Sequence, residues 1–179
     1  MPDQLPSSML KTRFIASQFI LLASLLIVLV FILVNVINPA ANKAPDVTFA
    51  TITGQKIALK ELRGKPVIVT FWATDCPGCI KEIPHLIDLY NQYHQQGLEI
   101  IAVAMYYDPP NHVVTMTQNQ QLPYHVALDL TAEIAHAFGD VQLIPSTFLI
   151  SPDGLITLKK TGNFDPAEIK TLIETLTKG

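Results

Sequence analysis

The chain contains two cysteines, Cys76 and Cys79, separated by Pro77 and Gly78. At the start of a helix, residues three apart share a face with Cα atoms roughly 5 to 6 Å apart, within reach of a disulfide. Cys76, as the predicted helix cap, would face unpaired backbone N–H groups and the positive end of the helix dipole, which stabilise a thiolate. We therefore predict that Cys76 is the nucleophile, and that Cys79, one turn further on, resolves the mixed disulfide.

The alternative use of this pair is an inert structural disulfide in an oxidising compartment. A disulfide across so short a loop stabilises little, because the effect grows with loop length. The pair also lies between a predicted strand and a predicted helix, the context in which such spacing indicates redox chemistry. We expect the disulfide itself to be the redox centre, with no separate cofactor and no metal.

The elements that position the pair alternate between strand and helix. The apolar runs Val67 to Trp72 and Leu98 to Met105 predict buried strands, and the helix predicted from Pro77 to about Gln95 makes them parallel. Further predictions are a helix from Asn111 to Gln121 capped by Asn111, a strand from Tyr124 to Leu128, a helix from Thr131 to Phe138, an antiparallel hairpin of Ser146 to Ile150 with Leu155 to Lys160, and a final helix capped by Asp165.

The N-terminal part of the chain is typical of a membrane anchor. Residues 14–37 carry no charged side chain, and as a helix they would reach roughly 36 Å, enough to span a bilayer. Lys11 and Arg13 favour a cytoplasmic location for residues 1–13. Residues 38–44 would form a tether and residues 45–179 one compact domain. A cleaved secretory signal and a buried soluble helix are the alternatives.

Composition excludes several classes of protein. The 179 residues suffice for one domain and a tail, but hardly for two independent cores. The formal net charge is −3, and Arg13 and Arg63 are the arginines of the chain. The basic surface that nucleic acid requires is therefore missing, and we predict no nucleic-acid partner.

The segment from Phe71 to Pro84 resembles the active-site segment of thioredoxins. More narrowly, it resembles the membrane-anchored TlpA/ResA/DsbE-like thiol-disulfide oxidoreductases of bacteria. The segment from Ile144 to Ile150 resembles the cis-proline strand of that family, and residues 44–46 and 62–65 resemble its opening hairpin region. The resemblance implies an α/β, thioredoxin-like fold over residues 44–179, in which helices flank a central mixed sheet.

The resemblance also implies roles for individual residues. Pro145 would be cis and would face the cysteines, and the backbone of Ile144 would pair with a bound peptide. Glu82 would move protons during exchange, the alternative being a solvated position on the helix surface. The substrate-binding residues would be Trp72, Pro77, Ile144 and Pro145.

Two departures from the family pattern bear on the chemistry. Thr70 stands where thioredoxins carry a buried aspartate, which leaves Glu82 as the candidate proton acceptor. Asp75 stands where a tryptophan is usual, and its negative charge disfavours the thiolate of Cys76. Destabilising the thiolate destabilises the reduced state, so we predict a reductase of protein disulfides.

The partners implied by the resemblance are protein thiols and disulfides, and a membrane electron donor of the DsbD/CcdA type that recharges the pair. The domain would lie on the periplasmic or outer face of a bacterial cytoplasmic membrane, held by a single span. Its role would be in cytochrome c maturation or in envelope thiol homeostasis.

Other functions remain open at this point. A Sco-like copper chaperone would use two cysteines and a histidine, for which His85, His125 and His136 are available. A thiol peroxidase related to the peroxiredoxins would pair its cysteine with a nearby arginine, yet none follows Arg63. A purely structural membrane protein is the third alternative.

Overall fold

The computed structural model describes residues 23–28, 30 and 42–177. The chain divides into two compact units, residues 1–41 and residues 42–179. The described residues of the first unit are helical, and their large apolar side chains are exposed. Most of the span predicted at 14–37, all of residues 1–13 and part of the tether lie outside the described residues. Among the residues that are described, no helix combines the length and apolar character needed to cross a bilayer.

The second unit alternates strands and helices. Its strands are β1 (Thr48–Ala50), β2 (Lys56–Ala58), β3 (Val67–Trp72), β4 (Glu99–Ala104), β5 (His125–Leu128), β6 (Ser146–Ile150) and β7 (Ile156–Thr161). Its α-helices are α1 (Pro77–Tyr93), α2 (Pro110–Gln120), α3 (Glu133–Ala137) and α4 (Pro166–Thr177). The first two strands form a separate antiparallel pair, and the others form a five-stranded mixed sheet in the order β5-β4-β3-β6-β7.

The centre of the sheet is buried on both faces. Every residue of β3, β4 and β6 is buried, as their nearly continuous apolar sequences require. On one face, Phe71 meets Phe138 and Phe148 edge to face. On the other, α1 turns its buried side chains toward the sheet at intervals of three and four residues, which is the helical period. The mixed sheet and flanking helices confirm the predicted thioredoxin-like fold.

The register brings four strand ends to one edge of the sheet. Trp72 is the partner of Ala104, and Ala104 is the partner of Leu128, so β3, β4 and β5 end together. Because β6 runs antiparallel to β3, its first residue, Ser146, pairs with Phe71 at the same edge. We call this side the carboxyl edge and the opposite side the amino edge. The cysteine turn leaves β3 at the carboxyl edge.

Two predicted boundaries are wrong. Asn111 does not cap α2, which begins at Pro110 with Pro109 in the cap position and no capping side chain. Proline suits the first helical position because it has no N–H to satisfy. The helix predicted from Thr131 is confirmed in a shorter form, because Ala132 has a left-handed φ of 60° and α3 begins only at Glu133. The parallel β3–β4 pair, β5, the β6–β7 hairpin and the Asp165 cap are confirmed.

Candidate active site

The predicted cysteine pair is a disulfide at the junction of β3 and α1. The Cα atoms of Cys76 and Cys79 are 5.3 Å apart. Cys76 is the cap residue of α1, and its Sγ accepts a hydrogen bond of 3.1 Å from the backbone N–H of Cys79. Pro77 follows at the start of the helix. When the disulfide opens, the sulfur of Cys76 therefore lies at a helix N-terminus, where a thiolate is stabilised.

The two sulfur-bearing residues differ in exposure. Cys79 is 3% exposed and belongs to the core cluster beside the sheet. Cys76 is only half-buried. An incoming thiol or disulfide can reach Cys76 more directly than Cys79. This difference favours the predicted assignment of Cys76 as nucleophile and Cys79 as resolving cysteine.

The loop before β6 packs against the cysteine turn. The Ile144–Pro145 peptide bond is cis, as the resemblance implies. Pro145 lies so close to Gly78 that a methyl group added there would be 3.2 Å from the Pro145 Cδ. Within the described part of the chain, the N–H and C=O of Ile144 form no hydrogen bond with another backbone group. The backbone of Ile144 thus has no backbone partner within the described chain, and its pairing with a bound peptide stays a prediction.

The other two predicted substrate contacts differ in exposure. Pro77 is exposed beside Cys76. Trp72 is only 4% exposed and packs in the same core cluster as Cys79. Its buried Nε1 has no hydrogen-bond partner among the described residues. In this oxidised state Trp72 supports the disulfide from inside rather than presenting a surface to substrate.

Glu82 is buried beneath the disulfide rather than solvated. It is 2% exposed, and its Oε1 accepts a hydrogen bond of 2.8 Å from the backbone N–H of Phe164. Burial raises its pKa above the ordinary value, although the Phe164 N–H, the Asn163 side chain and His85 stabilise the carboxylate and oppose that shift. Glu82 lines a small cavity together with Cys79. A carboxyl group with these properties is suited to exchange a proton with a nearby thiol.

Thr70, the position of the missing aspartate, lines the same cavity. Its Oγ1 lies 2.9 Å from the Oγ1 of Thr147 on the neighbouring strand, and both residues are buried. One of the two hydroxyl groups donates a hydrogen bond to the other. Glu82 is consequently the carboxylate of this cavity.

Two residues outside the sequence predictions hold the cysteine turn in place. Asp108 is 5% exposed and accepts two hydrogen bonds from Thr74, from its N–H at 2.6 Å and its Oγ1 at 2.7 Å. Asn163 donates from Nδ2 to the carbonyl oxygen of Gly78 at 2.8 Å. Asp108 could have been suspected, because it follows β4 as Cys76 follows β3. Asn163 carries no local signal, since its partner is 85 positions away.

The described residues do not show the side-chain arrangements that a copper chaperone or a thiol peroxidase would need. Across residues 23–28, 30 and 42–177, no three His, Cys, Asp or Glu side chains are grouped as metal ligands would be. Arg63 packs against Gly154 in the turn between β6 and β7. That turn lies at the amino edge, since Ile150 pairs with Val67. Arg63 therefore lies at the opposite end of the sheet from the sulfurs.

Comparison with known proteins finds relatives that are thiol-disulfide oxidoreductases or share the thioredoxin fold. Residues 40–159 match the AhpC/TSA family. The chain is 33% identical over 135 residues to the thiol-disulfide oxidoreductase ResA of Halalkalibacterium halodurans, covering 75% of this chain and 76% of that protein. It is 30% identical over 138 residues to ResA of Bacillus subtilis, covering 77% and 76%. The crystal structure of a thiol:disulfide interchange protein of the thioredoxin family from Chlorobium tepidum superposes with a TM-score of 0.70 at 26% identity, covering 76% of this chain and 96% of that one.

Proposed function

The chain belongs to the AhpC/TSA family, and on this premise we propose that it is a thiol-disulfide oxidoreductase that reduces protein disulfides through Cys76 and Cys79. One observation carries the proposal. A disulfide with one half-buried and one buried cysteine lies at a helix N-terminus and against the loop of a cis-proline. The relatives named thiol-disulfide oxidoreductase ResA support the same chemistry.

The exchange proceeds in two steps. In the reduced protein, the thiolate of Cys76 attacks one sulfur of the substrate disulfide, which forms a mixed disulfide and releases the first substrate thiolate to take up a proton. Cys79 then passes its proton toward Glu82 and attacks the sulfur of Cys76. The second substrate thiolate leaves and is protonated, and the Cys76–Cys79 disulfide remains. Two electrons have moved from the pair to the substrate.

The direction of exchange follows from charge around Cys76. Asp75 is exposed and directly precedes Cys76, so its carboxylate opposes the formation of a thiolate there. A less stable thiolate makes the dithiol a stronger reductant. An electron donor of the DsbD/CcdA type, itself in the membrane, would return the pair to the reduced state.

The proposed location is the outer face of the bacterial cytoplasmic membrane. The uncharged run at residues 14–37 supports a single span, and the alternating elements from residue 42 onward support one domain beyond it. Substrates would then be envelope proteins, in cytochrome c maturation or in general thiol homeostasis.

Trapping the mixed disulfide tests the activity. The full-length Cys79→Ser variant is expressed in bacterial membranes, and free thiols are then alkylated. On a non-reducing gel we expect this variant to migrate as covalent adducts with partner proteins, and a reductant should remove the adducts. The matched control is the Cys76→Ser, Cys79→Ser double variant, which should trap nothing. Absence of adducts, together with a purified wild type that does not cycle between dithiol and disulfide, would overturn the proposal.

The redox equilibrium with glutathione tests the direction. A reductase should be largely oxidised in mildly oxidising buffer, because its disulfide is the more stable form. A pair that stays reduced under those conditions would be an oxidant, which would contradict the proposed direction while leaving thiol-disulfide exchange intact.

A further inference from the structure

Two hydrogen bonds in series lead from the side chain of Asn163 to the sulfur of Cys76. The Asn163 Nδ2 donates to the carbonyl oxygen of Gly78 at 2.8 Å. That carbonyl belongs to the same peptide unit as the N–H of Cys79, which donates to the Cys76 Sγ at 3.1 Å. The peptide unit between Gly78 and Cys79 therefore connects the amide of Asn163 with the sulfur of Cys76.

A peptide unit in this position couples the two hydrogen bonds. A donor at the carbonyl oxygen draws electron density from the amide nitrogen, because the C–N bond has partial double-bond character. The N–H of the same unit then becomes a stronger donor, which is the cooperativity expected of hydrogen bonds in a chain. A sulfur that accepts from a stronger donor carries a negative charge more easily. Asn163 thus acts on the Cys76 thiolate although its own hydrogen bond is to Gly78.

The backbone on both sides of Asn163 is fixed by other parts of the active site. The N–H of Gly162 donates to the carbonyl oxygen of Pro145 at 2.8 Å. The N–H of the buried Phe164 donates to the Glu82 Oε1, also at 2.8 Å. The Asn163 side chain is exposed, and an exposed hydrogen bond usually gains little because water competes and ordering costs entropy. Here the neighbouring bonds already place the backbone of Asn163, which lowers that entropic cost.

Charged and titratable groups on the surrounding elements also influence the sulfur. Asp75 directly precedes Cys76, and its carboxylate opposes the thiolate. The Asn163 side chain stabilises the carboxylate of Glu82 as well, so its loss would leave Glu82 less charged and would favour the thiolate. The other groups of this kind are Lys81 and His85 on α1, Tyr107 and Asp108 after β4, Asp140 before β6, and Asp165 before α4. A thiolate that becomes less stable without Asn163 therefore has the sign expected of the hydrogen-bond chain and not of Glu82.

We propose that Asn163 is a positioning residue that stabilises the thiolate of Cys76 through the peptide unit between Gly78 and Cys79. The inference rests on the proposed function and adds a residue that tunes its nucleophile. Asn163 acts against Asp75, because the carboxylate makes the thiolate less stable and the amide makes it more stable. The segment before α4 consequently contributes to the reactivity of Cys76.

Alkylation of the reduced full-length chain in detergent tests the inference. Asn163→Leu keeps the approximate size of the side chain and removes its donor. We expect the acid dissociation constant of the Cys76 thiol to fall about threefold, since cooperative strengthening is a fraction of the free energy of a charge-assisted hydrogen bond. The rate of reaction with iodoacetamide is followed against pH, and mass spectrometry assigns the alkylated cysteine.

Gln96→Leu is the matched control. The Gln96 Nε2 donates to the carbonyl oxygen of Gln92 at 3.0 Å, and its side chain is exposed like that of Asn163. Gln96 lies beyond the other end of α1, roughly 25 Å along the helix from Cys76, so its loss should leave the ionisation of Cys76 unchanged. Asn163→Leu combined with Glu82→Gln should repeat the threefold change, because the route through Glu82 is then absent.

The amide proton of Cys79 gives a second, spectroscopic measurement. A weaker hydrogen bond deshields its proton less, so the NMR resonance of this amide should move upfield in Asn163→Leu. The same resonance should keep its position in Gln96→Leu. An unchanged resonance in Asn163→Leu would show that the peptide unit does not couple the two hydrogen bonds, which would overturn the inference.

The outcomes separate this inference from the proposed function. An unchanged dissociation constant of Cys76 in Asn163→Leu, or an equal change in Gln96→Leu, would overturn the inference, while exchange with oxidised glutathione upholds the function. A chain that exchanges with no disulfide would overturn the function, and alkylation would still measure the ionisation of Cys76. If Asn163→Leu fails to fold, Asn163→Ala should give the same threefold fall, because truncation of an exposed side chain leaves no cavity.

Discussion

Glu82 and Glu99 are buried glutamates at opposite edges of one sheet, and they are stabilised by different partners. At the amino edge, Glu99 is 7% exposed and accepts a hydrogen bond of 2.8 Å from the ammonium group of Lys65. At the carboxyl edge, Glu82 accepts from the backbone N–H of Phe164. No lysine or arginine within the described chain forms an ion pair with it. Glu99 thus has a cationic partner, whereas burial without one raises the pKa of Glu82.

The contrast extends to the rest of the two edges. The amino edge has the Lys65–Glu99 ion pair and the tight turn covered by Arg63. The carboxyl edge has the disulfide, four exposed apolar side chains (Tyr106, Tyr107, Leu130 and Leu143) and a buried carboxyl group whose pKa is raised. Functional sites commonly depart from the rules that favour stability. Residues that hold the sheet together therefore lie at the amino edge, and the residues proposed to react lie at the carboxyl edge.

The largest effect should come from neutralising Glu82. Glu82→Gln keeps an acceptor for the Phe164 N–H but removes the proton carrier, and we expect about a hundredfold slower exchange at neutral pH, as is typical of losing a general acid or base. The matched control, Glu99→Gln, should leave the rate unchanged and lower the free energy of unfolding, because Lys65 loses its partner. Stopped-flow reduction of oxidised glutathione measures the exchange rates of the two variants, and urea unfolding measures the free energy of unfolding. Equal rates for Glu82→Gln and wild type would contradict the difference between the edges.

A smaller effect is expected from the support of the cysteine turn. Asp108→Asn replaces one of the two acceptor oxygens that hold Thr74, so the turn before Cys76 should be held less firmly, and exchange should slow about tenfold, by analogy with loss of a charge-assisted hydrogen bond. The reduction potential of the pair should shift as well.

Asp129→Asn is the control for that experiment. Asp129 is equally buried, follows β5 as Asp108 follows β4, and accepts from the N–H groups of Ile134 and Ala135 at 3.0 and 2.8 Å. Loss of the Asp129 carboxylate should destabilise α3 without changing the reduction potential of the cysteine pair. If both variants shift the potential alike, Asp108 has only a general structural role.

The smallest effect is a pH dependence of stability. The folded protein binds the proton of Glu82 more tightly than the unfolded chain, whose pKa is near the ordinary 4.5. The contribution of this group is therefore fully present below that value and is lost as pH rises through the raised folded pKa. We expect Glu82→Gln to gain stability relative to wild type between pH 4 and pH 8 in urea unfolding. A constant difference across that range would argue against the raised pKa.

Local patterns predicted the elements well and the contacts between them poorly. The apolar run from Val67 to Trp72 matches β3 at both ends, and the spacing of Cys76 and Cys79 suffices to predict their disulfide. These features depend on residues close together along the chain. The cis bond before Pro145 followed from the resemblance, because cis is the minority state at proline.

The supports of the site are long-range contacts. Thr74 and Asp108 are 34 positions apart, and Glu82 and Phe164 are 82 apart. Nothing in the periodicity near either residue specifies its partner. The burial of Glu82 likewise depends on how the segment before α4 folds back over α1, so its sequence position alone left a solvated alternative open.

The contact between Gly78 and Pro145 has an evolutionary consequence. A side chain at position 78 would meet the Pro145 ring at 3.2 Å and the Asn163 side chain at 3.5 Å, so the loop would have to retreat by a few tenths of an ångström. The two residues between the cysteines and the loop that is proposed to contact the substrate are therefore not free to vary independently. Relatives with a larger residue in place of this glycine should carry compensating changes around Pro145 and Asn163, because the loop and the residues between the cysteines must fit together.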